Sequence, residues 1–269
     1  MPDRYEFRYF RTELRPPGVL WVTFDRPERR NAITPQMHDE IAPLFARIAA
    51  DRDVRVVVLT GAGEKAFCVG ADFDGMQSNL DAGAYEDGHP ALLEGSAAVV
   101  RSQLAVAQPM IAAVNGDALG LGATMALFCD ITLMADTARI GDPHVKAGLV
   151  AGDGGTVLWP LLLGLNRGKE HLFTGDLLTA AQADAFGLVN HVYPAAELTA
   201  EATALAGRIA AGPAVAIRFN KRLANADLVD RVNRVLDASL AMEALTFETA
   251  DHREAVKAFL DKRPPTFGA

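Results

Sequence analysis

Cysteine is scarce in this sequence, with only Cys68 and Cys129 among 269 residues. Two cysteines exclude a disulfide framework and a four-cysteine zinc site. The six histidines are scattered, and no two of them have the spacing of metal ligands on one helix. The sequence therefore predicts no metal centre.

Positive charge is also scarce. The sequence has 26 lysines and arginines but 34 aspartates and glutamates, which gives a net charge of −8. Such a chain has no broad basic field for nucleic acid or anionic lipid. Long apolar runs are missing, since none approaches the roughly 20 residues that cross a bilayer. The N-terminal stretch MPDRYEFRYFRTEL lacks the apolar centre of a signal peptide. We expect a cytoplasmic protein with neither nucleic acid nor membrane as a partner.

Several catalytic signatures are absent as well. No G-x-S-x-G occurs, and residues 164–169 are one position short of a phosphate-binding loop. The pair Gly120 and Gly122 partly resembles a dinucleotide fingerprint. However, residues 115–119 separate it from the preceding strand, and Met125 occupies the third glycine position. Nicotinamide binding is therefore not expected.

The hydrophobic pattern that is present predicts a folded α/β protein. Half of the residues are hydrophobic and 22% are charged. Residues 5–14 and 19–24 flank Pro16-Pro17-Gly18 and predict a hairpin. Thr34 and Pro35 then begin a helix. Its predicted buried face consists of Ile41, Leu44, Phe45 and Ile48.

Strand and helix signals alternate through about residue 195. Strands are predicted at residues 54–60, 110–114 and 131–134, and helices at residues 92–106, 156–163 and 179–186. Beyond Pro194 the segments are alanine-rich and helical. This division predicts an α/β core over residues 1–195 and a helical region over residues 196–269, which packs on the core or on a neighbouring subunit.

Two glycine turns are able to direct backbone N–H groups into a cavity. They are residues 67–73 and Gly120-Leu121-Gly122. Two N–H groups that point at one carbonyl oxygen form an oxyanion hole. Alone, each turn has the pattern of an ordinary tight turn.

Taken in order, the motifs resemble those of the enoyl-CoA hydratase/isomerase (crotonase) superfamily. They are RPERRNAI (26–33), FCVGADF (67–73), IAAVNGDALGLG (111–122), GGT (154–156), TGD (174–176), AFGLVN (185–190) and KRP (262–264). The resemblance implies an α/β crotonase spiral of ββα units with a helical C-terminal trimerisation region. It also implies a homotrimer or a dimer of trimers, and an acyl-CoA substrate with no cofactor besides its coenzyme A.

The resemblance also implies site residues. Ala71 and Leu121 match the positions whose backbone N–H groups form the oxyanion hole. Residues matching coenzyme A-binding positions are Arg29, Ala32, Ala71, Asp72, Phe73, Phe259 and Lys262. The last two belong to the C-terminal helix, which in relatives often comes from a neighbouring subunit.

The sequence departs from the hydratase pattern where that pattern has two glutamates. Those positions hold Thr124 and His144, and a threonine cannot act as a general base near neutral pH. An aspartate beside a histidine raises its basicity and fixes its tautomer, so His144 and Asp153 form a candidate acid/base pair. This pair, together with Glu243, resembles the β-diketone hydrolases of the superfamily. Asp153 also matches the acid/base aspartate of dienoyl-CoA isomerases.

Four functions therefore remain open at this stage. A retro-Claisen C–C hydrolase fits the His144/Asp153 pair, whereas a hydratase, a double-bond isomerase and a non-catalytic CoA-binding oligomer are the alternatives. Residues 76–95, including Tyr85 and His89, are expected to form the wall of the acyl pocket. The apolar helix face that is expected to lie between subunits consists of Val229, Val232, Val235, Leu236 and Leu240.

Overall fold

The computed structural model describes residues 5–84 and 90–268. The strands are β1 (Phe10–Arg15), β2 (Val19–Phe24), β3 (Val56–Gly61), β4 (Ala66–Cys68), β5 (Met110–Val114), β6 (Asp117–Leu119), β7 (Ile131–Ala135), β8 (Arg139–Gly141), β9 (Leu178–Thr179) and β10 (His191–Tyr193). The helices are α1 (Pro35–Ala50), α2 (Phe73–Asp81), α3 (Pro90–Ala105), α4 (Leu121–Leu127), α5 (Gly155–Leu163), α6 (Leu165–Thr174), α7 (Ala180–Ala185), α8 (Leu198–Ala210), α9 (Ala214–Ala224), α10 (Ala226–Phe247) and α11 (Ala250–Leu260).

The strands form two sheets with a repeating chain path. One sheet has the order β1-β2-β3-β5-β7-β10 and the other β4-β6-β8-β9. In each successive pair, β3/β4, β5/β6 and β7/β8, the first strand joins the larger sheet and the second joins the smaller one. Neighbours in the run from β2 to β10 of the larger sheet are parallel. This repeat confirms the predicted α/β spiral of strand pairs and helices.

Helix α1 shows how local sequence fixes the long elements. The Thr34 hydroxyl accepts a hydrogen bond from the backbone N–H of Met37, and Pro35 occupies the first helical position. The four apolar residues predicted for its inner face are all buried. The strand predicted at residues 110–114 is also found without a shift. The three-residue strands β6 and β8 were not predicted, because they are too short to show a period.

The buried side chain of Asn31 anchors strand ends near the site. The Asn31 side-chain amide nitrogen lies 2.9–3.1 Å from the carbonyl oxygens of Ala62, Ala66 and Phe67. Its carbonyl oxygen accepts a hydrogen bond from the backbone N–H of Arg26. Because a buried polar group is costly unless it is paired, Asn31 fixes the start of β4 relative to the Arg26–Asn31 loop.

The helices after β10 pack on the core of the same chain. Helix α8 lies on the larger sheet, α10 packs against α3 and α5, and α11 packs against α2. Val232, Leu236 and Leu240 are buried by these contacts within a single chain. The prediction that these three residues are buried between subunits was therefore wrong, whereas Val229 and Val235 are half-buried. Among the helices of the described residues, none is long and apolar enough to cross a membrane.

Candidate functional site

The two predicted glycine turns meet in the structure. Gly70 and Gly120 have φ angles of 78° and 53°, which favour glycine because a side chain would be strained there. The turns are in close contact, since a Cβ atom on Gly70 would lie 2.8 Å from the carbonyl oxygen of Leu119 and 3.5 Å from the nitrogen of Leu121. The structure therefore brings the backbone around Ala71 and the backbone around Leu121 together.

The N–H groups of Ala71 and Leu121 have no hydrogen-bond acceptor among the described residues. In the parallel bridge beside Ala71, the N–H of Ile33 donates to Gly70 and the N–H of Asp72 donates to Ile33, so the N–H of Ala71 is left over. Leu121 is the first residue of α4, where N–H groups have no intrahelical partner. Two free donors on adjacent turns have the arrangement that an oxyanion hole requires.

Both residues line a cavity of about 350 Å³ between α1, α2 and α3. Four residues of the predicted acyl-pocket segment, Met76, Asn79, Ala84 and Gly95, line it too. Tyr85 and His89 lie outside the described residues. Sequence reasoning missed His38 of α1, which also faces this cavity. Burial lowers the pKa of His38, so that it is uncharged near neutral pH.

The predicted coenzyme A residues cluster beside this cavity, with one exception. Arg29 forms ion pairs with Asp72, at 3.2 Å, and with Asp74. The ring of Phe73 stacks on that of Phe259, with centroids 4.0 Å apart. Helix α11 thus reaches the site of its own chain. Lys262 is exposed just beyond that helix, and no contact with another described residue places it at the cavity.

The carbonyl oxygen of Ala32, one of the predicted coenzyme A-binding residues, is already engaged in a hydrogen bond. It accepts a hydrogen bond from the guanidinium of Arg26 at 2.5 Å. The same guanidinium lies 3.2 Å from the carboxylate of Asp72. This bond ties the Ala32 loop to the start of α2, beside the cavity.

A second cluster contains the predicted acid/base residues. His144 lies on a 3₁₀ helix, Pro143–Ala147, directly after β8. Its Nε2 atom is 3.7 Å from the carboxylate of Asp153 and 4.0 Å from that of Glu243. Its Nδ1 atom is 2.5 Å from the carboxylate of Asp142. The structure therefore brings His144, Asp153 and Glu243 together, as predicted. It places Asp142, and not Asp153, in the orienting position on Nδ1.

The acid/base cluster adjoins the oxyanion turn. A Cβ atom on Gly120 would lie 3.4 Å from Cε1 of His144, so the imidazole rests against that turn. Thr124 of α4 donates a hydrogen bond from its hydroxyl to Asp153 at 3.2 Å. The residue at the first glutamate position of hydratases thus serves as a hydrogen-bond donor to the candidate aspartate.

Helix α10 holds the loop that carries Asp153. The hydroxyl of Ser239 donates to the carbonyl oxygen of Gly152 at 2.7 Å, and the N–H of Gly152 donates to the carbonyl oxygen of Val150 at 2.9 Å. A side chain at position 152 has no room, because a Cβ atom there would lie 2.5 Å from Oε2 of Glu243. The separation between Asp153 and Glu243 is therefore set by packing.

The protonation of the cluster follows from burial and charge. Burial by itself lowers the pKa of His144, but the carboxylates of Asp142, Asp153 and Glu243 more than offset this and raise it well above 6.5. Burial raises the pKa of Asp153 above 3.8, and it raises the pKa of Glu243 to about 8. These shifts favour the protonated form of His144 near neutral pH.

Asp142, His144 and Asp153 are also spaced like metal ligands, with donor atoms within 4.8 Å of one another. Nδ1 of His144 nevertheless lies within direct hydrogen-bonding distance of the Asp142 carboxylate. We therefore interpret Asp142 as the hydrogen-bond acceptor of the imidazole.

Comparisons with known proteins cover nearly the whole chain. The model of the enoyl-CoA hydratase/isomerase family matches residues 15–269. Crotonyl-CoA hydratase from Syntrophomonas wolfei is 36% identical over 250 residues, which cover 93% of this chain and 94% of the relative. The crystal structure of an enoyl-CoA hydratase/isomerase from Mycobacterium paratuberculosis matches with a TM-score of 0.86 and 35% identity, covering 93% of this chain and 97% of that one.

A β-diketone hydrolase is also similar in structure. The enzyme from the cyanobacterium Anabaena, bound to (S)-3-oxocyclohexyl acetic acid, matches with a TM-score of 0.84 and 31% identity. The match covers 92% of this chain and 97% of that one. The fold that the motifs implied is therefore confirmed.

Proposed function

The chain belongs to the enoyl-CoA hydratase/isomerase family, and we propose that within it this enzyme hydrolyses a carbon–carbon bond of a β-oxoacyl-CoA. One observation carries the proposal. His144 presents Nε2 between Asp153 and Glu243 while its ring rests against the Gly120 turn. A base and two carboxylates are thus placed beside the candidate oxyanion hole.

The reaction proceeds as a retro-Claisen cleavage. Nε2 of unprotonated His144 takes a proton from water, whose oxygen attacks the carbonyl carbon β to the thioester. The bond from that carbon to the α-carbon breaks, and its electron pair forms the thioester enolate. The N–H groups of Ala71 and Leu121 stabilise the enolate oxygen. The α-carbon then takes the proton from His144, which yields a carboxylic acid and a shortened acyl-CoA.

The free N–H groups favour a thioester over a substrate without coenzyme A. Ala71 and Leu121 line the same cavity as Asp72, next to which Phe73 stacks on Phe259. The similar Anabaena protein is described as a β-diketone hydrolase, and we transfer from it only the class of bond cleaved.

Hydration of an enoyl-CoA is the second candidate. The Syntrophomonas relative is a crotonyl-CoA hydratase, and here Asp153 and Glu243 both lie within 4.0 Å of the same His144 nitrogen. Two carboxylates at one point can position a water molecule and move its protons. Isomerisation needs a single proton shuttle, which Asp153 is placed to provide. A non-catalytic CoA-binding oligomer remains the alternative in which no turnover occurs.

A substrate panel distinguishes these reactions. We expect the enzyme to cleave one or more β-oxoacyl-CoA thioesters and, in H₂¹⁸O, to place one ¹⁸O atom in the released acid, as read by mass spectrometry. Crotonyl-CoA, a dienoyl-CoA and a cyclic β-diketone complete the panel. Hydration of crotonyl-CoA at ordinary enzymatic rates, with no cleavage of any β-oxoacyl-CoA, would contradict the proposal. Tight CoA binding without turnover of any compound would favour the non-catalytic oligomer.

The proposed assembly is a homotrimer or a dimer of trimers, and α9 offers an apolar face for it. Val215, Phe219 and Leu223 recur every fourth residue and are 59–75% exposed. We expect the double variant Phe219→Asp, Leu223→Asp to be monomeric in analytical ultracentrifugation, because buried charge opposes association. Asn220→Asp, which adds a charge beside this face, is the control and should keep the assembly. A wild-type chain that is monomeric at micromolar concentration would contradict the proposal.

A further inference from the structure

Asp142 contacts both the backbone and the side chain of His144. It is the N-cap of the 3₁₀ helix that carries His144, and its Oδ1 atom accepts a hydrogen bond from the backbone N–H of that residue at 3.3 Å. The same Oδ1 atom lies 2.5 Å from Nδ1 of the ring. One carboxylate oxygen therefore both caps the 3₁₀ helix and orients the imidazole ring of His144.

The other oxygen of Asp142 has no partner among the described residues. Oδ2 is buried, and it lies so close to Gly155 that a Cβ atom there would be 2.1 Å away. A buried carboxylate is costly unless its charge is balanced. Because no other side chain bonds to it in the described part of the chain, the imidazole is the partner that balances Asp142.

We propose that Asp142 is a positioning residue, which holds the proton of His144 on Nδ1 and so makes Nε2 the atom that exchanges protons with the substrate. For the reaction itself this inference rests on the proposed function. Asp142 is the group that determines which ring nitrogen of His144 exchanges protons in that reaction. Nε2 is the ring atom that faces Asp153 and Glu243, where a water molecule would be deprotonated as it attacks the substrate carbonyl.

The charge of Asp142 affects how the activity depends on pH. The titratable groups that face His144 are Asp142 from its own turn, Asp153 from the loop before α5, and Glu243 from α10. A general base works only when it is unprotonated, so a raised pKa of His144 places the rise in activity on the alkaline side. Removing the charge of Asp142 lowers this pKa and moves the rise to lower pH.

The test is Asp142→Asn in the full-length enzyme. Asparagine caps a helix as well as aspartate does, so the turn is kept while the charge is lost. We expect kcat at its pH plateau to fall by at least about tenfold, because the amide of asparagine can present its NH₂ group to Nδ1 and stabilise the wrong tautomer. KM should change little, and the rise of kcat with pH should move to lower pH. An unchanged kcat and pH profile would overturn the proposal.

Two further variants keep the test interpretable. Asp117→Asn removes a carboxylate that pairs with Arg139 at the edge of the smaller sheet, and it should keep the wild-type pH profile. If Asp142→Asn does not fold, Asp142→Ser replaces it, since serine is also a good N-cap. The same shift in the pH profile is expected for that variant.

A measurement without substrate separates this inference from the reaction. In ¹⁵N NMR of histidine-labelled protein, the signals of His144 are assigned by their loss in His144→Gln. We expect Nδ1 to stay protonated in the wild type while Nε2 titrates, and Asp142→Asn to titrate at lower pH with mixed tautomers. If these NMR results are obtained but the enzyme cleaves no β-oxoacyl-CoA, the proposed function is contradicted and the positioning role of Asp142 is retained. An unchanged titration and tautomer in Asp142→Asn would remove the positioning role alone.

Discussion

His144→Ala should lower kcat for C–C cleavage by about 10²–10⁴-fold, the usual contribution of a positioned general base. Affinity for coenzyme A should remain nearly unchanged, because the imidazole lies beside the Gly120 turn and not at the Phe73–Phe259 stack. A loss in kcat without a rise in KM indicates an interaction made in the transition state. Steady-state kinetics and calorimetric titration of CoA on the same preparation provide the two readings.

Two variants control for indirect effects of removing the imidazole. His144→Gln keeps a polar side chain among the three carboxylates but cannot exchange a proton, so it should be as inactive as the alanine variant. His191→Ala removes an exposed histidine of β10 and should keep full activity. If His144→Ala retains full activity on the true substrate, the base lies elsewhere, and Asp153 or Glu243 acting alone becomes the better assignment.

Leu121→Pro should lower kcat by about 10²–10³-fold, the usual cost of losing one donor of an oxyanion hole. Proline has no backbone N–H, so this change deletes the proposed donor and adds no charge. Leu121 is the first residue of α4, a position where proline is tolerated because its N–H has no helical partner. Single-turnover kinetics report the loss directly.

The matched control is Leu121→Ala, which shortens the same side chain and keeps the N–H. A thioether analogue of the acyl-CoA has no carbonyl oxygen, so its affinity should be the same for both variants. Thermal melting checks that α4 is intact. Wild-type kcat in Leu121→Pro, with the fold preserved, would exclude Leu121 as an oxyanion donor.

Sequence pattern predicted the long elements because they carry enough residues to show a period. The face of α1 and the strand β5 are examples. It could not indicate what covers an apolar face, and for that reason Leu236 and Leu240 were assigned to a subunit interface although α3 and α5 bury them in the same chain.

The residues of the candidate site could be predicted where this sequence matches positions in the motifs of the family. His144, Asp153 and Glu243 were identified in this way and do lie together. Asp142 was missed, because an aspartate between a glycine and a proline has the pattern of a turn residue. A helix cap and an imidazole acceptor have the same sequence signature, and only the 2.5 Å contact distinguishes them.

The candidate oxyanion donors and the acid/base groups occupy different parts of the chain. The donors lie at the end of β4 and the start of α4, whereas the acid/base groups lie between β8 and α5 and on α10. The second set can therefore be substituted without a change in the sequence of the first set. A descendant of this fold can therefore acquire a new reaction through a few changes near residues 142–153 and 243, while it inherits the proposed oxyanion donors. Divergence of chemistry and retention of the thioester substrate are thus separable events in the history of such a chain.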